Sequence, residues 1–243
     1  MSVPRFVAVL ASALLLALAG CHSGKTSGTL GVSAKGDGSA GIASVEVGGG
    51  VSVSRVRVLV RQLELEGAEG DQNMPMPTPM MAADHGGGDG GEGEENGVEI
   101  GPLVVDVSGD ALSGSVKKVF DADVPEGTYR ELKIAIGPSS GAAPGTPLAA
   151  MGASSIVVDG TKAGAPFSFA SALQATQKLE TPLVVDHAGK SSNVTLVLEV
   201  TKWFTAAGGG PLDPTADADR AAIEANMLAN LRFERDDDEN GVD

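Results

Sequence analysis

The sequence predicts a mainly β fold, an antiparallel β-sandwich with one amphipathic helix near its C-terminus. Three observations support this prediction. Short runs of β-branched and apolar residues recur along the chain. Several of these runs alternate apolar and polar side chains, which is the period of a strand with one buried face. Turn-forming sequences rich in Gly, Pro and Asp separate the runs, as at 125–127 and 208–210.

Eight segments are predicted to be strands. The first, 51–67, alternates well but slips phase, so one strand with a bulge and two strands both fit it. The last, 193–203, places Val194 and Leu196 on one face and Thr195 on the other, which indicates a half-buried strand. Frequent short strands of this kind are typical of immunoglobulin-like or transthyretin-like sandwiches. The other six candidates are 98–107, 116–124, 128–136, 155–159, 166–172 and 178–185.

One helix is predicted over about residues 215–233. Asp213 or Thr215 is expected to cap its N-terminus, because acidic and hydroxyl side chains accept hydrogen bonds from the free N–H groups there. Ile223, Met227 and Leu231 recur four residues apart and form one apolar stripe. We expect this stripe to pack on the sandwich.

The beginning of the chain has the pattern of a lipoprotein signal peptide. Arg5 supplies a positive charge, residues 6–19 are apolar except for Ser12, and Leu-Ala-Gly precedes Cys21. This is the pattern of a bacterial lipobox, in which the cysteine thiol is acylated and the peptide is cut before the cysteine. Cys21 is the only cysteine of the chain. Because His22 and not Asp follows it, we expect an outer-membrane lipoprotein of the cell envelope, on either face.

The composition divides the chain into segments. Residues 1–20 are the predicted signal peptide, and 21–41, rich in Gly, Ser and Thr, are expected to be a lipidated, flexible tether. The sandwich domain is predicted over 42–235 and contains a low-complexity insert, 67–97. An acidic tail, 236–243, follows it.

Part of the predicted sandwich resembles a known family. The turn and strand at 123–134, which include Tyr129, resemble the PAGTY-type motif of an uncharacterised family of bacterial lipoproteins. The preceding strand at 100–106, which ends in Asp, fits the same family. The resemblance covers roughly residues 42–243 and implies a lipid-anchored β-sandwich. The family has no agreed activity, so the resemblance implies no site residues, and Glu126 replaces the usual small residue of the turn.

The overall composition disfavours several classes of function. The chain has 32 acidic and 17 basic side chains, a net charge of −15, which argues against a nucleic-acid partner because phosphates need clustered Lys and Arg. A single cysteine excludes a disulfide framework or a thiolate zinc site. An aromatic content of 3% disfavours a stacking surface for sugars or bases. Seventeen acidic residues lie in two appendages, seven in 67–97 and ten from Asp213 onward.

The insert 67–97 combines methionine, proline, glycine and acidic residues without Lys or Arg. Thioether sulfur is a soft ligand that suits Cu(I) better than hard cations, and the prolines favour an extended backbone. Two interpretations stay open, a Cu(I) site and a solvated low-complexity loop. The candidate Cu(I) ligands are Met74, Met76, Met80, Met81 and His85.

The acidic tail contains part of a calcium-loop pattern. Asp236, Asp238, Asn240 and Gly241 match the first, third, fifth and sixth positions of a D-x-D-x-N-G loop, whose carboxylate oxygens suit Ca²⁺. No glutamate follows at the twelfth position, so we expect such a site to be incomplete or completed from elsewhere. A solvated acidic tail is the alternative.

A third pattern is that of a serine hydrolase. Gly137, Ser139 and Gly141 match GxSxG after a predicted strand, and Asp186 and His187 follow in triad order. The nucleophile of such an enzyme needs a helix directly after it, and a proline five residues after the serine disfavours one. We therefore expect no catalytic residues.

Together these patterns predict a lipid-anchored cell-envelope protein with a non-enzymatic binding or structural role. A periplasmic or surface lipoprotein that binds Cu(I) through the Met/His-rich insert is the alternative. No cofactor is expected apart from the Cu(I) or Ca²⁺ of these two patterns. The expected partner is the membrane, through the N-terminal lipid, and the sequence names no protein or small ligand.

Overall fold

The fold is that of a computed structural model, which describes residues 27–38, 44–67, 97–140, 143–180, 182–186 and 192–236. Within these ranges the chain forms two β-sheets and two α-helices, which confirms the prediction of a mainly β, sandwich-like fold with a helix near the C-terminus. The elements are β1 (Ser27–Gly36), β2 (Val45–Gly48), β3 (Val51–Gly67), β4 (Gly97–Ile100), β5 (Leu103–Ser108), β6 (Lys117–Pro125), β7 (Gly127–Ile136), β8 (Ile156–Lys162), β9 (Ala165–Ser171), β10 (Ala175–Leu179), β11 (Leu183–Val185), β12 (Ser192–Leu198), α1 (Val200–Trp203), α2 (Asp217–Ala229) and β13 (Leu231–Arg235).

The larger sheet is built around β3, a single strand of 17 residues. Its hydrogen-bonded neighbours are β5 and β8 at Val56, β5 and β7 at Val60, and β4 and β7 at Leu65. Because a strand has two edges, β7 and β8 follow one another along one edge and β4 and β5 along the other. The register shifts near Val53 and Val60, so one strand with bulges explains the phase slip in the sequence.

The smaller sheet has the strand order β13-β12-β1-β6. Its central strand β1 pairs in parallel with β12 and antiparallel with β6, so one pairing of the predicted antiparallel sandwich is parallel. The prediction of a flexible tether over 21–41 is wrong for Ser27–Gly36. Leu30, Val32 and Ala34 alternate along this strand and are buried in the core, which stabilises it despite its Gly and Ser content.

Three predicted strands have different boundaries in the structure. Segment 98–107 divides into β4 and β5 at Gly101 and Pro102, because proline has no N–H to donate and Gly101 has a φ of 133°. Segment 178–185 lies across β10 and β11. Segment 193–203 divides into β12 and α1, and every residue of β12 is buried, so it is not the half-buried strand that the sequence predicts.

The predicted helix over 215–233 is shorter in the structure. Ile223 and Met227 are buried on α2 as predicted, but Leu231 is in β13, where it alternates with Phe233 toward the core. Neither Asp213 nor Thr215 caps the helix, whose N-cap residue is Ala216. The Asp213 carboxylate accepts hydrogen bonds from the ammonium of Lys162 and from Thr215, and these bonds lower the pKa of Asp213 to about 2. None of the helices in the described ranges is long and apolar enough to span a bilayer.

The two sheets enclose one apolar core that contains the fully buried side chains of Trp203, Tyr129 and Phe204. At one side, Gln177 of β10 joins the two sheets. Its Nε2 donates to the carbonyl of Leu231 (2.6 Å) and its Oε1 accepts from the N–H of Phe233 (3.0 Å), both in β13. At the other side the short turn from β6 to β7 carries the chain from one sheet to the other.

Candidate functional site

Several strands begin or end around the turn between β6 and β7, and we call this region the turn end. Ser27, the first residue of β1, pairs with Pro125, the last residue of β6. Gly67, the last residue of β3, pairs with Tyr129 near the start of β7. The chain therefore enters β1 and leaves β3 at the same end of the sandwich.

Two further strand ends lie in this region. Gly97, the first residue of β4, pairs with Glu66 of β3, so residues 68–96 leave and rejoin the sheet about 5 Å apart, the spacing of paired strands. β13 also ends here, because the N–H of Asp236 donates to the carbonyl of Asn193 (2.9 Å) near the start of β12. The predicted insert and the predicted acidic tail thus both depart from the turn end.

Tyr129 fixes the geometry of the turn. Its hydroxyl donates to the carbonyl of Pro125 (2.7 Å) and its ring is fully buried between the sheets. Burial disfavours the charged phenolate and raises the pKa of Tyr129 to about 12. The part of the sequence that resembles the lipoprotein motif therefore has a structural role, holding the crossover between the two sheets.

Four buried side chains form a continuous hydrogen-bonded chain on the outer face of the smaller sheet. We call Ser33, Asn193, Thr195 and Asp236 the buried polar chain, and each is at most 3% exposed. Ser33 Oγ donates to Asn193 Oδ1 (3.1 Å) and Asn193 Nδ2 donates to Thr195 Oγ1 (3.1 Å). Thr195 Oγ1 then donates to Asp236 Oδ2 (2.9 Å). Three neutral side chains thus orient toward one carboxylate at the turn end.

A glycine makes room for this arrangement. Asn193 pairs with Gly31 of β1, and a Cβ atom at position 31 would lie 2.6 Å from Asn193 Oδ1. Any larger residue there would displace the amide from its partners. The sequence predicts a tether at Gly31 and a solvent-facing position for Thr195, and both predictions miss this network. The signal for it in the sequence is the pair of polar residues, Asn193 and Thr195, within an otherwise apolar strand.

The structure describes only one of the predicted metal-binding residues. Asp236 is buried, and its Oδ2 accepts from Thr195, so one oxygen of the first predicted Ca²⁺ ligand is already engaged. Within the described ranges, no three His, Cys, Asp or Glu side chains are grouped as a metal site. The other residues predicted for lipidation or metal binding all lie outside the described ranges: Cys21, the Cu(I) candidates Met74, Met76, Met80, Met81 and His85, and Asp238, Asn240 and Gly241 of the Ca²⁺ pattern.

The hydrolase pattern is not assembled by the fold. Ser139 follows the last residue of β7, whereas Asp186 follows β11, which pairs with the first residues of β7. The two residues therefore lie near opposite ends of a ten-residue strand, about 30 Å apart along it. After Ser139, no nucleophile-elbow helix is formed in residues 143–155. Met151 packs instead on Leu59 of the larger sheet.

The outer face of the larger sheet carries ion pairs of a different kind. Arg55 binds Asp106 with two hydrogen bonds, Nε to Oδ1 (2.9 Å) and Nη2 to Oδ2 (2.5 Å), and the pair lowers the pKa of Asp106. Both side chains are more than a third exposed. Arg57 pairs with Asp159 (2.8 Å), which also accepts from Ser168. The Arg55–Asp106 pair is therefore hydrated, whereas Arg57 is only 16% exposed and its Nε is buried without a hydrogen-bond partner among the described residues.

A small apolar groove lies beside α2. It has a volume of about 240 Å³, including space open to solvent, and Leu228 at its rim is 44% exposed. Met227 and Leu231 line its base. The space that it encloses is only about 10 Å³, roughly that of one water molecule, which is too small for a typical small-molecule ligand. The turn end is therefore the stronger candidate for function.

Comparison with known proteins adds no relative. No family model, curated protein or solved structure matches the chain. The resemblance at 123–134 accordingly rests on the sequence alone.

Proposed function

We propose that the protein is a lipid-anchored component of the bacterial cell envelope, with a non-enzymatic binding or structural role. The observation that carries this proposal is the apolar segment 6–19 followed by Leu-Ala-Gly and Cys21, the only cysteine in the chain. Several acyl chains on one cysteine give stable membrane attachment, which a single chain does not. His22 after the cysteine favours the outer membrane.

The position of β1 is compatible with such an anchor. Ser27, the sixth residue after Cys21, is the first residue of a strand that is hydrogen-bonded on both edges. Because β1 lies between β12 and β6, an anchor at the N-terminus is connected to a central strand of the smaller sheet. This placement supports a folded domain held close to the membrane by a short connection.

Fractionation of cells that express the full chain tests the anchor. Wild-type protein is expected in the membrane fraction, and the Cys21→Ser variant in the soluble fraction, because serine lacks the thiol that is acylated. Ser23→Ala is the matched control, and it should remain with the membrane. Membrane attachment of Cys21→Ser would contradict the proposal.

A second function is favoured by the insert between β3 and β4. Four of the seven methionines of the chain occur within residues 74–81, followed by His85. The pairing of Glu66 with Gly97 brings the two ends of this segment together at the edge of the larger sheet. We propose, as the alternative, that this segment binds Cu(I) through its thioethers and imidazole.

A Cu(I) titration of the full-length protein under reducing conditions tests this alternative. Binding tighter than micromolar is expected for wild type and should be lost when Met74, Met76, Met80 and Met81 are all changed to Leu. Met151→Leu, a substitution in a buried apolar cluster, is the matched control and should bind as wild type does. Unchanged binding by the fourfold variant would exclude the thioether site.

A further inference from the structure

We infer that the turn end is the membrane-facing end of the folded protein, so that a lipid surface lies against the β6–β7 turn. This inference rests on the proposed lipid anchor at Cys21. It goes further because it assigns one end of the sandwich, and not its sides or its opposite end, to the bilayer.

The first step is the reach of the chain. Ser27 is the sixth residue after Cys21, and a fully extended chain spans at most about 3.6 Å per residue. Ser27 therefore lies within about 22 Å of the acylated cysteine in any conformation of the connection. Because Ser27 pairs with Pro125, the whole β6–β7 turn stays within a similar distance.

The second step is how strongly β1 is held in the smaller sheet. β1 is hydrogen-bonded to β12 over Leu30–Gly36 and to β6 from Ser27 onward. Leu30 and Val32 are essentially fully buried in the core. Peeling β1 away to lengthen the connection would expose these side chains, so the reach is limited to the residues before Ser27.

The third step is the length of the molecule. Along β3, Gly67 pairs with Tyr129 at the turn end, and Ser52 pairs with Thr161 near the turn between β8 and β9. Gly67 follows Ser52 by fifteen positions along the strand, a length of up to about 50 Å. We call the region around the β8–β9 turn the far end. The far end can swing well away from the bilayer, whereas the turn end cannot.

The surface of the turn end is compatible with this placement. Val184 of β11, which pairs with Thr128, is 50% exposed and is one of three large apolar side chains exposed in the described ranges. The lipid on Cys21 supplies the affinity for the membrane, so the turn end needs no cluster of basic side chains to bind it. It follows that the last residues of β3 and β13 and the first residue of β4 lie on the membrane side of the sandwich.

Two matched cysteine variants of the full-length protein test the inference. Thr128 at the turn end and Thr161 at the far end are both exposed threonines in strands. Each is changed to cysteine and labelled with a thiol-reactive fluorophore, since acylation blocks the only native cysteine. The labelled proteins are then bound to phosphatidylethanolamine–phosphatidylglycerol vesicles that carry a headgroup-linked quencher.

Quenching is expected to be several-fold stronger at position 128 than at position 161. Equal quenching, or stronger quenching at 161, in protein that floats with the vesicles would overturn the orientation and leave the anchor intact. Failure to float would overturn the anchor and the orientation with it. A second pair, Val184→Cys and Ala165→Cys, repeats the comparison at two other exposed positions, so that a poorly folded first variant does not decide the result.

Discussion

The outer faces of the two sheets carry polar side chains in very different states. On the smaller sheet, Ser33, Asn193 and Thr195 are at most 1% exposed and lead to a single buried carboxylate. On the larger sheet, Arg55 and Asp106 form a bidentate ion pair whose side chains are 47% and 38% exposed. The same alternating pattern in the sequence thus gives a buried network on one sheet and a hydrated one on the other.

The two faces should differ in how much their polar residues contribute to stability. A buried hydrogen-bonding group that loses its partner pays the full cost of desolvation, whereas an exposed ion that loses its partner is solvated by water. Substituting a buried polar residue on the smaller sheet should therefore lower the free energy of unfolding more than substituting an exposed ion on the larger sheet. We expect this order even though the contacts on the larger sheet are between full charges.

The largest effect is expected from Asn193→Ala in the buried polar chain. This change removes the acceptor of Ser33 and a donor to Thr195, and it should lower the free energy of unfolding by about 2–3 kcal/mol. Chemical denaturation measures the loss. Gln62→Ala, at a half-buried position on the larger sheet, is the control and should change stability by less than about 0.5 kcal/mol. Equal losses for both variants would remove the distinction between the two faces.

An intermediate effect is expected from Tyr129→Phe, in the turn that joins the sheets. Loss of the hydrogen bond to Pro125 should cost about 1 kcal/mol at neutral pH. The folded-state pKa of about 12 lies above the ordinary value of 10.0, so the folded state holds the proton more tightly. This contribution is fully present below pH 10 and is lost as the pH rises toward 12.

Denaturation at several pH values between 8 and 12 measures this dependence. Wild type should lose more stability than Tyr129→Phe above pH 10, because the variant has no phenol to ionise. Parallel curves for the two proteins would show that the Tyr129 hydroxyl does not titrate with a raised pKa.

The smallest effect is expected from the exposed ion pair. A double-mutant cycle with Arg55→Ala and Asp106→Ala should give a coupling free energy of less than about 1 kcal/mol, and it should shrink further in high salt. A coupling larger than the cost of Asn193→Ala would reverse the order proposed for the two faces.

The sequence predicts the mainly β fold and most strand positions, because alternation is a local signal. It does not predict β1, since Ser27–Gly36 has the composition of a tether and its partner β12 begins more than 150 residues later. The alternation of Leu30, Val32 and Ala34 was the usable clue. Likewise, Leu231 continues the spacing of a helix stripe, but pairing with Leu198 places it in β13.

The candidate site shows the same limit. The lipobox-like pattern before Cys21 and the composition of the insert are local patterns and can be recognised in the sequence. The convergence of Ser27, Gly67 and Asp236 at one end depends on strand pairing between distant segments. No local sequence pattern predicts this convergence. Ser139 and Asp186 likewise match a motif in the sequence, but the pairing of distant strands places them far apart.

Mass spectrometry tests most directly whether Cys21 carries the lipid that we propose holds this protein in the envelope. Intact-mass and peptide spectra of the protein purified from membranes are the measurement. We predict a mature chain that begins at Cys21, with the mass of that residue increased by acyl chains. A mature chain with an unmodified Cys21 thiol, or one that begins at another residue, would contradict it.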